Sequence, residues 1–242
     1  MHNIKWKLLN KLLAAQLRVV VSTLIHFNFF GFKKDIKKIE TAHSCRHQWK
    51  SLSHFIDILI VGEDRRFYDH DGIDLCGILR AIWVRIHKGS IQGASTIEQQ
   101  LVRVIIGNYT IKLSRKIREI LLSSYLRKIM SKNDIACLYL EIAYFGAGMK
   151  GLKAVCKKLG ILHNKATIND AVEVVARLKY PEPSNRNLFR TAQINRRVEH
   201  IFSQYSIQQK QNCVYNNRIQ ADTKNRRFFV PTRNVSVGFL RS

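Results

Sequence analysis

The chain has 242 residues and a formal charge of +24, from 41 Lys+Arg against 17 Asp+Glu. Its 46% hydrophobic and 24% charged residues exclude a disordered chain, and the length suits one large domain or two small ones with a sizeable core. The charge calls for an anionic partner, which leaves nucleic acid, anionic lipid headgroups and a phosphorylated substrate open.

Three prolines and twelve glycines argue for a helix-rich chain with short connections. Near the N-terminus Trp6, Leu8, Leu9, Leu12 and Leu13 fall at helical spacing among Lys5, Lys7 and Lys11. The apolar run Val19–Phe32 contains His26 and Asn28 and is shorter than the ~20 residues of a full membrane span. Extending it back to Leu12 reaches that length only by including Gln16 and Arg18. A membrane anchor, an interfacial helix and a core helix all fit, and membrane contact of some kind is the expectation. No small-x-small cleavage site follows. The run Phe55–Ile60 reads as a buried element. Amphipathic helices are expected over Leu75–Ile86, Ser114–Lys128, Asn133–Phe145 and Ala166–Leu178. Beyond Thr191 the periodicity fades, and the tail reads as a peripheral or poorly ordered extension. Residues 1–50, 51–190 and 191–242 are the expected divisions. The five cysteines show no C-x-x-C pair or zinc-finger spacing and read as buried small apolar residues.

Chemistry concentrates at the carboxylates. Glu63 ends an apolar run, and Glu119 sits in a helix with an apolar face. Between them GASTIEQQLVR (Gly93–Arg103) carries Thr96, Gln99, Gln100 and Arg103 at close helical spacing. Ser95-Thr96 marks a helix start, where free backbone N–H groups suit an anionic oxygen. Two carboxylates, a helix N-terminus and several cations suit transfer at a phosphate-activated carbon: one Glu takes a proton from the attacking hydroxyl, and the cations compensate a departing phosphate. Taken alone, Glu119 equally reads as the partner of Lys116 or Arg115 on its own helix.

Five segments, in order, resemble glycosyltransferase family 51, the peptidoglycan transglycosylases. They are EDRRFYDHDGID (Glu63–Asp74), GASTIEQQLVR, RKIRE (Arg115–Glu119), KNDIACLYLEIAYFGAGMKG (Lys132–Gly151) and DAVEVVARLKYPEP (Asp170–Pro183). The resemblance implies a mainly α fold, a lysozyme-like transglycosylase lobe with a small membrane-associated jaw, the jaw lying where Leu75–Ile86 sits. It implies polymerisation of lipid II into a β-1,4 glycan with inversion and release of polyprenyl diphosphate. Glu63 would be the general base, with Asp64, Phe67 and His70 shaping the site. Ser95, Thr96, Gln100 and Arg103 would bind the donor, and Arg115 and Lys116 its pyrophosphate. Glu119 would orient the leaving diphosphate, directly or through a divalent cation, Mg or Mn. The partners would be lipid II, the growing glycan and the membrane surface, with no nucleic acid. The location would be the bacterial cytoplasmic membrane, with the catalytic domain on its outer face. With no S-x-x-K and no K-T-G, a monofunctional enzyme is expected. The chain departs from the family pattern at Arg103 (Lys usual), Val104 (Asn), Glu141 (Asn), Asp170 (Glu) and AVCKKLG, Ala154–Gly160, which lacks two aromatics. The competing readings are a family member that binds without turnover and serves as an assembly scaffold, and a basic nucleic-acid-binding protein.

Overall fold

The computed structural model describes residues 2–27, 31–44, 52–90, 93–162 and 165–227, with side chains described for 4–211 of these. Among them the fold is mainly α: α1 His2–His26, α2 Phe32–Ser44, α3 Ser53–Glu63, α4 Leu75–Lys88, α5 Ile97–Ile106, α6 Leu113–Ile129, α7 Lys132–Ile142, α8 Leu152–Leu159, α9 Ile168–Lys179 and α10 Leu188–Arg227. A two-stranded antiparallel hairpin, β1 Tyr144–Gly146 and β2 Met149–Lys150, interrupts the series. The chain divides into two compact units, Met1–Phe202 and Ser203–Ser242. The described part of the second is helix alone, Ser203–Arg227. The tail read as peripheral or poorly ordered is therefore helical as far as Arg227.

The core of the first unit is built where apolar helices cross. The most hydrophobic of them, α3, buries Phe55, Ile58, Leu59, Ile60 and Val61, and packs on α9, which buries Val172, Val174 and Val175. Gly62 allows this crossing: a Cβ there would lie 3.1 Å from Val175 Cγ1 and 3.3 Å from Ile201 Cδ1. The residue before Glu63 is thus small because two other helices pass over it.

The helix starts follow local chemistry. Thr96, Ser131 and Thr167 cap α5, α7 and α9, and Asp74 caps α4 by accepting from the Gly77 N–H at 3.0 Å. Thr167 and Asp170 form a full capping box, so the Asp in place of Glu keeps that function. One expected helix was too long. Over Asn133–Phe145 the helix stops at Ile142, and Tyr144 and Phe145 enter β1, because Phe145 and Ala147 exchange backbone hydrogen bonds with Glu182.

The N-terminal run also resolves differently. Among the described residues the helix apolar enough to cross a membrane is Ile4–His26, with mean hydropathy 1.5, which begins well before Val19–Phe32 and overlaps it over residues 19–26. Residues 28–30 of that run lie outside the described residues. The lysine-rich segment after it folds as α2. It buries Phe32, Ile36 and Ile39, and Asp35 pairs with Arg118 of α6 at 2.6 Å.

Candidate active site

Glu63 is the last residue of α3, where the helix stops delivering apolar side chains to the core and turns its carboxylate to the surface. The side chain is 13% exposed and both oxygens are held. Oε2 accepts from Gln100 Nε2 at 3.1 Å, and Oε1 accepts from Arg197 Nη2 at 3.0 Å. The same Arg197 nitrogen donates to the Gly62 carbonyl at 2.5 Å. The Gln100 amide is oriented by Tyr139, whose hydroxyl donates to Gln100 Oε1 at 2.6 Å. Burial, then the nearby Glu63 charge, raises the Tyr139 pKa, so this hydroxyl stays a donor.

Gln100 and Arg103 are both on α5, three residues apart and so on one face, with a rise of about 4.5 Å between them. Arg103 makes a two-pronged bond to Glu119, Nε to Oε1 at 2.8 Å and Nη2 to Oε2 at 3.1 Å. Arg115 Nη1 also bonds Glu119 Oε1, and Lys116 Nζ lies 3.8 Å from Oε2. Glu119 is 3% exposed. Burial alone would raise its pKa, but the Arg103 hydrogen bond and the charges of Arg103, Lys116 and Arg115 outweigh that and lower it. Burial pulls Lys116 down to about 8 against the attraction of Glu119. Lys116 Nζ donates to Ser95 Oγ at 2.8 Å and to Gln99 Oε1 at 2.6 Å. Three cations around one carboxylate leave an excess of positive charge, which suits an anionic ligand. The same excess repels a divalent cation. With Glu119 the only carboxylate in that group and already saturated, these residues do not fit the expected metal at the diphosphate.

Behind Glu63 lies a buried polar layer. Asp64 Oδ2 is 3.0 Å from His70 Nε2 and accepts from the Ile97 N–H at 3.3 Å. Glu98 is fully buried and bonds Lys132 Nζ at 2.5 Å, and that ammonium sits 4.2 Å above the centre of the buried Phe67 ring. Asp64, His70 and Glu98 bring one ligand atom each within 4.8 Å of one another, a set that can hold a metal ion. Lys132 already supplies a positive charge there.

Of the residues singled out from the sequence, Glu63 and Gln100 touch, and Arg103, Arg115 and Lys116 all surround Glu119. Asp64, Phe67 and His70 are buried beneath the site. Thr96 faces the protein interior. It is 1% exposed, caps α5 through the Gln99 N–H at 3.3 Å and donates to the Gly72 carbonyl at 3.0 Å. Gln99 Nε2 and Ser123 Oγ donate to that same carbonyl, at 3.2 and 3.0 Å. Gly72 itself has φ +91°, and a Cβ there would meet the Ser123 carbonyl oxygen at 2.7 Å. The glycine of the first motif thus ties its loop to α5 and α6. Sequence reasoning missed Tyr139, Lys132 and Arg197. The first two lie inside quoted motifs, whereas Arg197 stands in a polar stretch with no local signal.

The sequence pattern of the transglycosylase family matches residues 34–206. Penicillin-binding protein 1A of Rickettsia typhi is 36% identical over 141 residues, which cover 55% of this chain and 18% of that protein. Penicillin-binding protein 1A of Escherichia coli is 35% identical over 132 residues, 54% of this chain and 16% of the relative. That of Vibrio cholerae is 39% identical over 103 residues, 42% and 12%. The chain spans less than a fifth of the length of these curated relatives. A family match over most of the chain, enclosing both glutamates and the helix that links them, makes this chain a member of the transglycosylase family.

Proposed function

We propose that the protein is a peptidoglycan glycosyltransferase that polymerises lipid II, with Glu63 as general base and inversion at the anomeric carbon. The observation that carries this reading is the placement of two unlike sites by one helix. Gln100 holds Glu63, and one turn later Arg103 holds the cation-rich Glu119 cluster. This arrangement supports a reading in which a base and a diphosphate site are served by one helix.

Glu63 takes the proton of the acceptor sugar 4-hydroxyl, and that oxygen attacks the donor anomeric carbon. The bond from this carbon to the diphosphate oxygen breaks, and polyprenyl diphosphate leaves with the negative charge. Arg103, Arg115 and Lys116 compensate the charge as it develops. Glu119 holds two of these cations in place, so its role is to orient the leaving-group site. Both Glu63 oxygens are occupied, so the acceptor hydroxyl displaces or shares one of these bonds. Gln100 is the neutral partner and the easier one to give way. No step is routed through a metal ion.

A membrane setting follows from the proposed substrate, which joins a diphosphate to a long apolar tail. Leu79, Ile82, Trp83 and Ile86 of α4 are half or more exposed, and Arg80 is on the same helix. This face serves as the membrane-associated jaw, with the catalytic domain on the outer side of a bacterial cytoplasmic membrane. Turnover of lipid II in detergent, wild type beside Glu63→Gln with products sized on a gel, tests the reading. Polymer from wild type and none from the variant is expected. Binding without polymer from the wild type would replace the enzyme reading with an assembly scaffold, and no binding would reject both.

A further inference from the structure

Helix α2 buries Phe32, Asp35, Ile36 and Ile39 on one face and exposes Lys33, Lys34, Lys37 and Lys38 on the other. Asp35 is the exception on the inner face, a carboxylate 6% exposed among apolar side chains. A buried charge is costly unless it is paired and hydrogen-bonded. Its partner is Arg118 of α6, 83 positions later, whose Nε donates to Asp35 Oδ2 at 2.6 Å. Phe32 lies one turn before Asp35, and its ring centre is 4.5 Å from the central carbon of the Arg118 guanidinium. The guanidinium is thus gripped at its edge by a carboxylate and on its face by a ring, both from α2.

That grip shapes one wall of the candidate leaving-group site. Arg118 lines a small cleft together with Arg103, Asn108, Arg115 and Glu119. Arg115 and Arg118 are three residues apart on α6 and so are neighbours on its surface. The Arg118 side chain is 23% exposed, so it stays open to the cleft while bound to Asp35. A second bond from α2 ends at the same cleft. Lys38 Nζ donates at 3.1 Å to the carbonyl of Ile106, the last residue of α5 and part of the cleft lining. The Tyr125 hydroxyl of α6 also donates to Glu40 of α2 at 2.9 Å. Helix α2 therefore braces both helices that carry the cations around Glu119.

We propose that Arg118 is a further cation of the diphosphate site, aimed at the leaving group by Asp35 and Phe32, and that Asp35 is a positioning residue. The inference rests on the proposed reaction. There the bond from the anomeric carbon breaks with its electron pair passing to the diphosphate oxygen, while the acceptor proton goes to Glu63. The diphosphate gains negative charge in that step. Arg103, Arg115 and Lys116 are shared with Glu119, whereas Arg118 is held by a carboxylate outside that cluster. A guanidinium fixed before the charge develops needs no rearrangement to meet it. The helix that follows α1 thereby takes part in shaping the site.

The test uses the full chain in detergent, with titration of inorganic pyrophosphate and steady-state turnover of lipid II. Arg118→Ala should weaken pyrophosphate binding about tenfold and lower kcat by about tenfold or more, the loss expected of one charge-assisted hydrogen bond. Wild-type values in that variant would overturn the proposal. Arg118→Lys keeps the buried ion pair without the planar fork, so its affinity should lie between the two; unchanged affinity would also count against the assignment. Asp35→Asn should lower binding and turnover several-fold, and should add nothing in the Arg118→Ala background. Since each single neutralisation strands a buried charge, Asp35→Leu with Arg118→Met supplies an apolar pair that keeps the melting temperature. That protein should remain as impaired as Arg118→Ala. Full recovery of binding and turnover in it would reduce the pair to a structural role and reject the proposal. Pyrophosphate binding needs no turnover, so the readings separate. Arg118-dependent binding without polymer from the wild type would keep the anion site and sink the enzyme reading, and polymer indifferent to Arg118 would do the reverse.

Discussion

At the scale of single residues, the site is defined by what each carboxylate is allowed to touch. Glu63 meets one neutral donor and one cation, whereas Glu119 meets three cations. The first can accept a proton without leaving a cluster of cations unbalanced, and the second cannot. Arg197 is the least expected participant. Its guanidinium links the carbonyl of Gly62 to the carboxylate of Glu63, so it fixes backbone and side chain together. Arg197→Ala should lower kcat by about 10²-fold through misplacement of the base, with KM for the donor nearly unchanged. Arg197→Lys should recover part of that loss, and steady-state kinetics on both variants checks it. An equal loss in both variants accompanied by a lower melting temperature would indicate a structural role only.

Lys116 yields a pH prediction. It holds its proton less tightly folded than unfolded, so between about 8 and 10.5 the folded state binds fewer protons. Its burial therefore opposes folding most below pH 8, and that cost fades as pH rises toward 10.5. For the site the sign is opposite, because the ammonium that meets a diphosphate is present below about 8 and lost above it. Affinity for inorganic pyrophosphate should fall between pH 7 and 9, and Lys116→Arg should flatten the fall. Titration calorimetry at fixed ionic strength reads this directly.

At the scale of elements, α5 organises the site. Its cap, Thr96, satisfies the Gln99 N–H and holds the Gly72 loop, while Gln100 and Arg103 face the two glutamates. Thr96→Val should therefore cost about 1 kcal/mol of stability from the cap, and Thr96→Ser should restore it. Donor KM should change little, because the hydroxyl is spent inside the protein; a large rise in KM with unchanged stability would mark Thr96 as a donor contact. Gly72→Ala should cost more, about 1–3 kcal/mol from its left-handed backbone, plus the clash with the Ser123 carbonyl. Chemical denaturation of the two variants separates these values. The hairpin that ends α7 makes a related point. Its sequence continues a helical apolar pattern, but Glu182 supplies the backbone partners that make Tyr144–Gly146 a strand.

At the scale of the whole molecule, the positive charge is unevenly spent. Arg66, Arg103, Arg118, Arg127 and Arg177 pair with carboxylates inside the described structure, whereas Lys5, Lys11, Lys33 and Lys34 remain exposed. The excess at the N-terminal end suits a surface that is anionic over a wide area better than a single phosphate group.

The division between what the sequence determined and what the tertiary structure decided follows from the range of the forces. Caps, glycine turns and amphipathic stripes depend on neighbours a few residues away, so the chain's motifs declared α4, α6, α9, the Thr96 cap and the two glutamates. The partners of Glu63 are groups 37 and 134 positions distant, Gln100 and Arg197, which no local pattern pairs with it, whereas Arg115 and Lys116 reach Glu119 from its own helix. Side-chain chemistry was legible because it is carried by the residue itself. Its geometry was not, because a hydrogen bond between distant segments exists only once the core has brought them together.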